Sequence, residues 1–309
     1  MKLNWAGLMA VAVAGLLLLA AANVLPTGAV DILQRSWGAL LILTGLFLLL
    51  GKRIPLGGVA AIVITFVLVA GVATLAYSSR AGEQRDDQVQ TVEAALDAGV
   101  SLLQVDVTAL TTDIEIGLSN TDRTITGGFT GSRQSTVRSE YVEDGSGLGV
   151  YTFEEAKSPD LPRLDEVGRG ILRLQMPADV PLDIVVRGQS GSVTLNLSGT
   201  ELERLNLELA NGDALITMPE YEPRSQAALA QPGTLTVSNG AITLVIPEGV
   251  AGRFELDRGS SGIAPQFDET IYEYIGGVLL EDRNFTSADQ VIRYVIVAPR
   301  GLIRIESTP

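Results

Sequence analysis

Apolar and polar residues alternate along most of the chain after Val100. In the segment 101–109 the apolar positions Leu103, Val105 and Val107 are separated by polar residues, and the segment 112–118 has the same pattern. A period of two is typical of a strand with one buried and one solvent-facing side. The pattern therefore predicts that the C-terminal part of the chain is a β domain.

Similar segments recur as far as the C-terminus. They are 168–177, 182–188, 192–199, 202–212, 213–220, 233–259, 290–299 and 301–307. Four strands are expected to end in an apolar residue followed by proline, at Pro177, Pro219, Pro247 and Pro299. Proline cannot donate to a strand ladder, so it closes a strand. This recurrence, about every ten residues between 183 and 259, predicts a stacked or rolled β architecture.

The same alternation predicts which side chains form the core. Leu118 is expected to share a buried face with Ile114 and Ile116. Seven further residues are expected to line the interior: Leu195, Leu197, Leu205, Leu207, Ile242, Leu244 and Ile246. Thr194 and Thr243 belong to the opposite face. The segments 121–164 and 262–288 are the least patterned and are expected to hold longer loops around strands such as 150–155.

Three apolar segments near the N-terminus, 5–25, 37–51 and 56–77, predict transmembrane helices. A helix needs about 20 residues to cross the apolar part of a bilayer, so the first and third are long enough. The second is short. It spans with local thinning of the bilayer, or it forms a re-entrant or interfacial hairpin.

Basic residues beside these segments predict their orientation. Lys2 precedes the first segment, and Lys52 and Arg53 lie between the second and third. Positive charge favours the cytoplasmic side, so the N-terminus is expected inside and the chain after Tyr77 outside. An alternative is that the segment 5–25 is a cleaved signal peptide, in which case the C-terminal domain is still exported. The expected organisation is a membrane domain (1–78), a linker that holds a short helix or a first strand (79–99), and an exported all-β domain (100–309).

Composition narrows the chemistry of the exported part. The 309 residues include no cysteine and no histidine, which excludes thiolate nucleophiles, imidazole bases and disulfides. After Tyr77 there are 35 acidic and 18 basic residues. Such an acidic domain is a poor partner for nucleic acid.

Several polar groups are candidates for a site. Acidic pairs occur at Asp86-Asp87, Glu154-Glu155, Asp165-Glu166 and Asp268-Glu269, without the spacing of a calcium loop, and are expected to be solvated loop residues. Lys157 and Ser158 could form a dyad, but their polar surroundings do not indicate the burial that activates a lysine. The glycine-serine run at 259–262 is expected to be a turn, and Asn196 a polar residue of a strand. We therefore expect no catalytic, cofactor-binding or metal site, and no enzyme.

The segment 182–220, followed by 233–250, resembles the toastrack domain of LiaF-like proteins, the cell-wall-active antibiotic response family. The residues that carry the resemblance are the strand-glycine-strand units and the strand ends in apolar residue plus proline; "SWGALLILTGLFLLL" also looks like the short paired helices of that family. The chain departs from the family in having three apolar segments where four are common, and Asn211-Gly212 in place of a second Gly-x-Gly. The resemblance implies a membrane domain followed by a rolled or stacked, β-solenoid-like sandwich.

The resemblance also implies a function. Members of the family are thought to regulate envelope-stress signalling, so we expect a non-enzymatic regulatory or sensory protein of the bacterial cytoplasmic membrane. Its partners would be the lipid bilayer and another membrane protein such as a sensor kinase. An alternative is a structural module of the envelope, in which β domains associate edge to edge. Both of these functions are compatible with a homo-oligomer.

Overall fold

The computed structural model describes residues 45, 57–119, 121, 123–157, 163, 164, 166–224, 231–259 and 262–308. The predicted apolar segments 5–25 and 37–51 lie outside these residues, apart from Gly45. The chain divides into two compact units. The first contains the helix α1 (Gly57–Ala81); the second comprises Gln84–Lys157 and Arg169–Pro309 and contains every strand that the structure describes.

The helix α1 corresponds to the third predicted apolar segment. Its large apolar side chains are exposed where they are described, at Val63, Ile64, Phe66, Val67, Val72 and Leu75. Arg80 lies in its last turn, where a cation interacts favourably with the helix dipole. Within the residues that the structure describes, no helix is both long enough and apolar enough to cross a membrane.

The second unit consists of 18 strands among the described residues. In chain order they are β1 (Gln88–Ala95), β2 (Leu102–Ala109), β3 (Thr112–Leu118), β4 (Thr124–Gly131), β5 (Ser135–Glu143), β6 (Leu148–Lys157), β7 (Gly170–Met176), β8 (Leu182–Ser190), β9 (Val193–Asn196), β10 (Leu202–Asn211), β11 (Ala214–Thr217), β12 (Gly233–Asn239), β13 (Ile242–Ile246), β14 (Val250–Asp257), β15 (Tyr272–Ile275), β16 (Leu279–Asp282), β17 (Gln290–Val297) and β18 (Ile303–Ser307). The predicted β domain is confirmed.

The strands form two sheets. The order in the eight-stranded sheet is β1-β4-β7-β3-β9-β11-β13-β18, and in the ten-stranded sheet it is β15-β16-β14-β17-β12-β10-β8-β2-β6-β5. The inward faces of both sheets contribute to one apolar core. At one end of the core, for example, Phe129 of the first sheet meets Phe153 of the second, with ring centroids 5.8 Å apart.

The centre of the domain is a stack of two-strand coils. In each coil the chain runs along the ten-stranded sheet, turns a corner, and continues in the eight-stranded sheet. The coils are β2-β3, β8-β9, β10-β11, β12-β13 and β17-β18, and each strand pairs in parallel with its equivalent in the next coil. β6 and β7 add one more parallel layer beside β2 and β3. This arrangement explains the repeat of about ten residues in the sequence.

The segments with little alternation contain strands that pair antiparallel. β4 pairs with β7 and β1, β5 with β6, and β16 with β14 and β15. β4 includes Gly127 and Gly128, and β5 alternates mostly between polar residues, so their patterns are weak. Within the expected linker 79–99, residues 88–95 form β1, which pairs along its whole length with β4.

The predicted core is buried. All seven interior residues expected from the coils, from Leu195 to Ile246, are at most 2% exposed, whereas Thr194 is exposed and Thr243 is half-buried. The expectation for Leu118 was wrong, because this side chain is 37% exposed. β9 pairs with β3 only as far as Ile116, so Leu118 extends past the neighbouring strand.

Four coil corners are built on stacked glycines: Gly191, Gly212, Gly240 and Gly301. A Cβ on Gly212 would lie 1.8 Å from the carbonyl oxygen of Gly191, and a Cβ on Gly240 would lie 2.0 Å from that of Gly212. The φ angle of Gly212 is +132°. Only glycine permits both this backbone conformation and such close stacking of successive corners.

Polar side chains link these corners. The amide nitrogen of Asn239 donates to Asn211 Oδ1 at 3.0 Å, and that of Asn211 donates to the carbonyl of Gln189 at 3.1 Å. Arg300 donates to Asn239 Oδ1 at 3.3 Å. One step further along the chain, Asp213 accepts a bond from the backbone N–H of Ala241 at 2.8 Å. We call the column formed by Asn211, Asn239 and Arg300 the asparagine ladder. It supplies hydrogen-bond partners to polar groups where the chain leaves regular strand pairing.

Candidate binding site on the ten-stranded sheet

A pocket of about 150 Å³ opens on the ten-stranded sheet, between β10, β17 and the connection that leads from β11 to β12. It is lined by Glu203, Arg204, Glu222, Pro223, Gln231, Pro232, Gly233, Val291, Arg293 and Tyr294. Its lining combines side chains of both charges with apolar ring and methyl surface. Such a lining suits a small polar molecule or a protruding side chain of a partner.

Gly233 lines the pocket at a position that has no room for a side chain. A Cβ there would lie 2.3 Å from the carbonyl oxygen of Leu205 and 2.5 Å from the ring of Tyr294. The Tyr294 ring therefore occupies the space beside Gly233 and is 5% exposed. Burial raises the pKa of Tyr294 well above its usual value.

One wall is fastened by Glu203, which is 8% exposed. Its carboxylate accepts hydrogen bonds from the Tyr221 hydroxyl at 2.5 Å and from the backbone N–H of Arg224 at 3.0 Å. The guanidinium of Arg224 lies over the Tyr221 ring, 5.6 Å from its centroid. Burial, and then the bond to Glu203, raise the pKa of Tyr221. Glu203 thus holds the connection after β11 against β10.

Two arginines give the pocket its positive side. Arg204 forms a two-point ion pair with Asp183, at 3.1 Å from Nε and 2.5 Å from the terminal nitrogen. The hydrogen bonds to Asp183 raise the pKa of Arg204. Arg293 is exposed and lies over the Phe285 ring, 5.6 Å from its centroid. Arg204 is fixed by its partner, whereas Arg293 presents its charge at the mouth of the pocket.

A second polar cluster is buried at the corner between β2 and β3. Glu155 is 4% exposed and its Oε2 accepts bonds from the backbone N–H groups of Leu110 and Thr111, at 2.7 and 3.0 Å, and from the Thr112 hydroxyl at 2.8 Å. Its Oε1 accepts a bond from the Ser135 hydroxyl at 2.6 Å. The cluster holds the one described corner of the parallel coils at which threonine replaces glycine.

This cluster corrects an expectation about the pair Glu154-Glu155. Both residues belong to β6 rather than to a loop, and only Glu154 is exposed. The sequence pattern conceals this, because Glu155 takes an inward position in the alternation of β6. A carboxylate at such a position can only be accommodated by several hydrogen bonds, which the β2-β3 corner supplies.

Lys157 also differs from expectation. It is the last residue of β6 and is half-buried, and this burial lowers the pKa of its ammonium group while Glu155 opposes the effect. Its sequence neighbour Ser158 lies outside the described residues, as does Asp165. The pairing of Lys157 with Ser158 therefore lies partly outside the described residues.

The described residues of the remaining acidic pairs lie in turns or short connections. Asp268 accepts bonds from the backbone N–H and hydroxyl of Thr270, at 2.8 and 2.6 Å, and these bonds lower its pKa. Asp87 accepts a bond from Arg85 at 2.9 Å. Asn196 lies on the exposed face of β9, as expected. Among the described residues, no group of three or more acidic side chains is placed to hold a metal ion.

The pocket was not predicted from the sequence, although two signals point to it in retrospect. Glu203 and Arg204 are adjacent charged residues at a register irregularity in β10, where one residue breaks the alternation. Gly233 opens β12 directly after proline, where a side chain would have been expected to face the core. Neither signal reveals that Tyr294, which is distant in sequence, lies beside them.

Comparisons with known proteins give the fold a solved counterpart. No family model matches the chain, and no curated protein matches it. A crystal structure of a proposed cell adhesion protein from Clostridium sporogenes ATCC 15579, determined at 1.95 Å resolution, is similar to 72% of this chain and all of that chain, with a TM-score of 0.57 and 14% sequence identity. At this identity the likeness shows the fold alone: the chain shares the all-β fold of that protein.

Proposed function

We propose that this chain is a non-enzymatic, membrane-anchored regulatory or sensory protein of the bacterial envelope-stress type, which acts by protein contact. Its N-terminus would lie in the cytoplasm and its β domain outside. The toastrack domain of LiaF-like proteins is the finer assignment that we propose for this β domain, on the basis of the strand-glycine-strand units.

The observation that carries the proposal is the exposed apolar surface of α1. Six large apolar side chains are exposed on this helix, from Ile64 at 42% to Phe66 at 73%. Exposed apolar surface of this extent marks contact with a membrane or another protein. The segments 5–25 and 37–51 and the basic residues between the second and third segments agree with a membrane anchor.

The β domain would provide the surface that binds a partner or a ligand. Its interior is filled by apolar side chains, so partners and ligands meet its outer faces. The pocket at Gly233 is lined by charged residues, among them Arg293 and Glu222, and by the aromatic residue Tyr294. These groups can recognise a small polar ligand or a side chain without transforming it.

Two experiments test the proposal. A reporter that is active only outside the cytoplasm, fused after Pro309, should be active, and activity of a cytoplasm-only reporter at that position would reverse the orientation. In a strain that lacks the chain, the full-length protein should restore the envelope-stress response, whereas residues 78–309 exported as a detached domain should not. Restoration by the detached domain would refute the requirement for the anchor.

A matched pair of variants tests the pocket. Arg293→Glu reverses the charge at its mouth and should alter the response, while Arg187→Glu, on an exposed position of β8 in the same sheet, should leave it intact. Asp268→Ala should also leave the response intact, because the Asp268 carboxylate accepts its hydrogen bond from Thr270 within its own turn. Equal effects of Arg293→Glu and Arg187→Glu would show that total charge matters rather than the pocket.

A second candidate function is a structural or adhesive module of the envelope. The likeness to the proposed cell adhesion protein favours it, as do the sheet edges at β1 and β5, to which no further strand of the described residues is paired. Filaments or sheets of the purified protein, seen by electron microscopy, would support this alternative.

A further inference from the structure

The outer edge of β5 has the geometry of an interface. β5 is the last strand of the ten-stranded sheet and pairs with β6 along all nine of its residues. The turn that joins them is fastened by Asp144, whose Oδ1 accepts bonds from the backbone N–H groups of Ser146 and Leu148 at 2.8 and 3.2 Å. These bonds fix the β5-β6 hairpin, in which β5 is an extended strand that can pair with another strand.

The alternation of hydrogen-bonded pairs in this hairpin shows which backbone groups of β5 do not bond to β6. The N–H of Asp144 donates to the carbonyl of Leu148 at 3.1 Å, so these residues form a hydrogen-bonded pair. Such pairs alternate along an antiparallel ladder. The backbone N–H and C=O groups of Val137, Ser139 and Tyr141 consequently point away from β6, toward the edge at which no other described strand is paired.

The charge order of β5 is self-complementary. When two copies of the strand run antiparallel with Ser139 facing its own equivalent, Arg138 lies opposite Glu140 of the partner subunit, and Glu140 lies opposite Arg138 of the partner subunit. Both residues are on the outer face, with 72% and 49% of their side chains exposed, and in the single chain they form an ion pair with each other at 2.5 Å, which the dimer would exchange for pairs between subunits. No like charges face each other anywhere in this register. Opposite charges at facing positions stabilise antiparallel pairs.

Apolar and neutral residues complete the register. Val142, which is 52% exposed, comes to lie opposite Thr136 of the partner subunit. On the inner face Val137 meets Tyr141 of the partner subunit. The ring of Tyr141 is already held in place by its hydroxyl, which donates to Glu143 at 2.5 Å. Little further ordering is needed before the strands pair.

The other described edges fit a second copy less well. β18 is covered in part by Gln266, which exchanges backbone bonds with Ile303 and Ile305 at 2.9 and 2.8 Å. β15 has four residues. β1 is long, but its one charged residue, Glu93, finds no opposite charge when the strand pairs antiparallel with itself.

We propose that two copies of this chain associate through β5, antiparallel and centred on Ser139, so that the ten-stranded sheet continues across a two-fold axis. About six backbone hydrogen bonds would form between the strands. With the membrane anchor proposed above, on which this step rests, both copies would lie in one membrane, which raises their effective concentration and favours this pairing. The dimer does not depend on which of the two proposed functions is correct.

The test uses the full-length chain, which has no native cysteine, in isolated membranes. In the proposed dimer the two Ser139 Cα atoms lie about 5.5 Å apart, within the roughly 4.4–6.8 Å range of disulfides. Ser139→Cys treated with copper-phenanthroline should give a disulfide-linked dimer. Thr91→Cys, on an exposed position of the β1 edge, is the matched control and should remain monomeric.

Charge exchange identifies the register. In the Ser139→Cys background, Arg138→Glu or Glu140→Arg alone places like charges opposite each other and should lower the cross-linked fraction about tenfold. The double variant Arg138→Glu/Glu140→Arg should restore it. The two single variants, expressed together with different tags, should form a mixed dimer, because all facing charges are then opposite.

Arg138 and Glu140 lie on the exposed face of β5, whereas the Ser139 hydroxyl lies 3.0 Å from the Tyr151 hydroxyl, so Ser139→Cys also removes this inner contact. The circular dichroism of each purified protein therefore separates a loss of cross-linking from misfolding. Absence of the Ser139→Cys dimer in folded protein would overturn the proposal. Equal cross-linking of the single and double variants would overturn the register, and with it the role of the two charged residues.

Discussion

The chain turns from one sheet to the other in two different ways at the coil corners. At Gly191, Gly212, Gly240 and Gly301 the chain turns between the sheets without a side chain, and successive corners stack backbone on backbone. At the β2-β3 corner the chain turns through Thr111 and Thr112, and the buried carboxylate of Glu155 binds the backbone N–H groups of Leu110 and Thr111. This corner stacks closely on Gly191 on one side, but on its other side lies the β6-β7 layer, from which a side chain can fill it.

The neighbouring layer explains the difference. β6 and β7 are joined by the segment 158–169 rather than by a tight corner. Glu155 on β6 therefore has room to reach the backbone of Leu110 and Thr111. At these corners glycine is thus required by the coil beside it as well as by the backbone conformation of the corner.

The largest effect is expected at the centre of the glycine stack. Gly212→Ala places a Cβ 1.8 Å from the carbonyl oxygen of Gly191 and imposes a side chain at φ +132°. We expect it to lower the free energy of unfolding by about 4 kcal/mol or more, measured by denaturant titration followed by circular dichroism.

Gly249→Ala is the control for this variant. Gly249 also has a positive φ, +89°, but no other group lies within 4 Å of the position that a Cβ would take there. The substitution should cost about 1–2 kcal/mol from backbone strain alone. Equal losses at Gly212 and Gly249 would mean that conformation, and not stacking, selects glycine at the corners.

A smaller but still large effect is expected at the other kind of corner. Glu155→Ala leaves two buried backbone N–H groups and the Thr112 hydroxyl without their acceptor, and should cost about 3 kcal/mol. Glu154→Ala, at the exposed neighbouring position, should change the free energy of unfolding by less than about 0.5 kcal/mol. If the two variants lose stability equally in denaturant titrations, Glu155 does not support the corner.

A double variant tests whether one kind of corner can replace the other. Thr112→Gly should cost about 1 kcal/mol, because it removes the bond to Glu155 and adds backbone freedom. It should not rescue Glu155→Ala, since the backbone N–H groups of Leu110 and Thr111 would remain without an acceptor. Recovery of the free energy of unfolding in the double variant would show that the two kinds of corner are interchangeable.

The smallest effect is expected in the asparagine ladder. Asn239→Ala removes the bonds to Asn211 and from Arg300, which lie in a partly exposed column, and should cost about 1 kcal/mol. Asn284→Ala, in the turn after β16, serves as the control, because the bond that its backbone N–H donates to Asp282 survives the substitution. Denaturant titrations of both variants under the same conditions check the difference, and equal losses would mean that the ladder does not stabilise the coils.

Much of the fold follows from local pattern, and the rest depends on distant partners. The parallel coils are predictable because each strand buries alternate residues, as Leu195 and Leu244 do. β4 and β5 escape prediction because their burial is decided by β7, β1 and β6. The same limit applies to the pocket, where Gly233 and Tyr294 meet only after β17 has taken its place beside β12. Glu155 is misjudged from sequence because its partners at the β2-β3 corner are more than 40 residues away in the chain.

The order of the layers has a consequence for how the chain acquires its structure. The coil β2-β3 comes first in the sequence, yet it lies inside the stack, with β6-β7 on one side and β8-β9 on the other. When the chain is synthesised from its N-terminus, the residues of this coil appear before those of either neighbouring layer. Its parallel strand pairs can therefore form only after more distant segments have been synthesised. Growth then proceeds outward in both directions, so a truncation after β5 would leave the first coil with two unprotected sides. A truncation after β13 would remove only strands from one end.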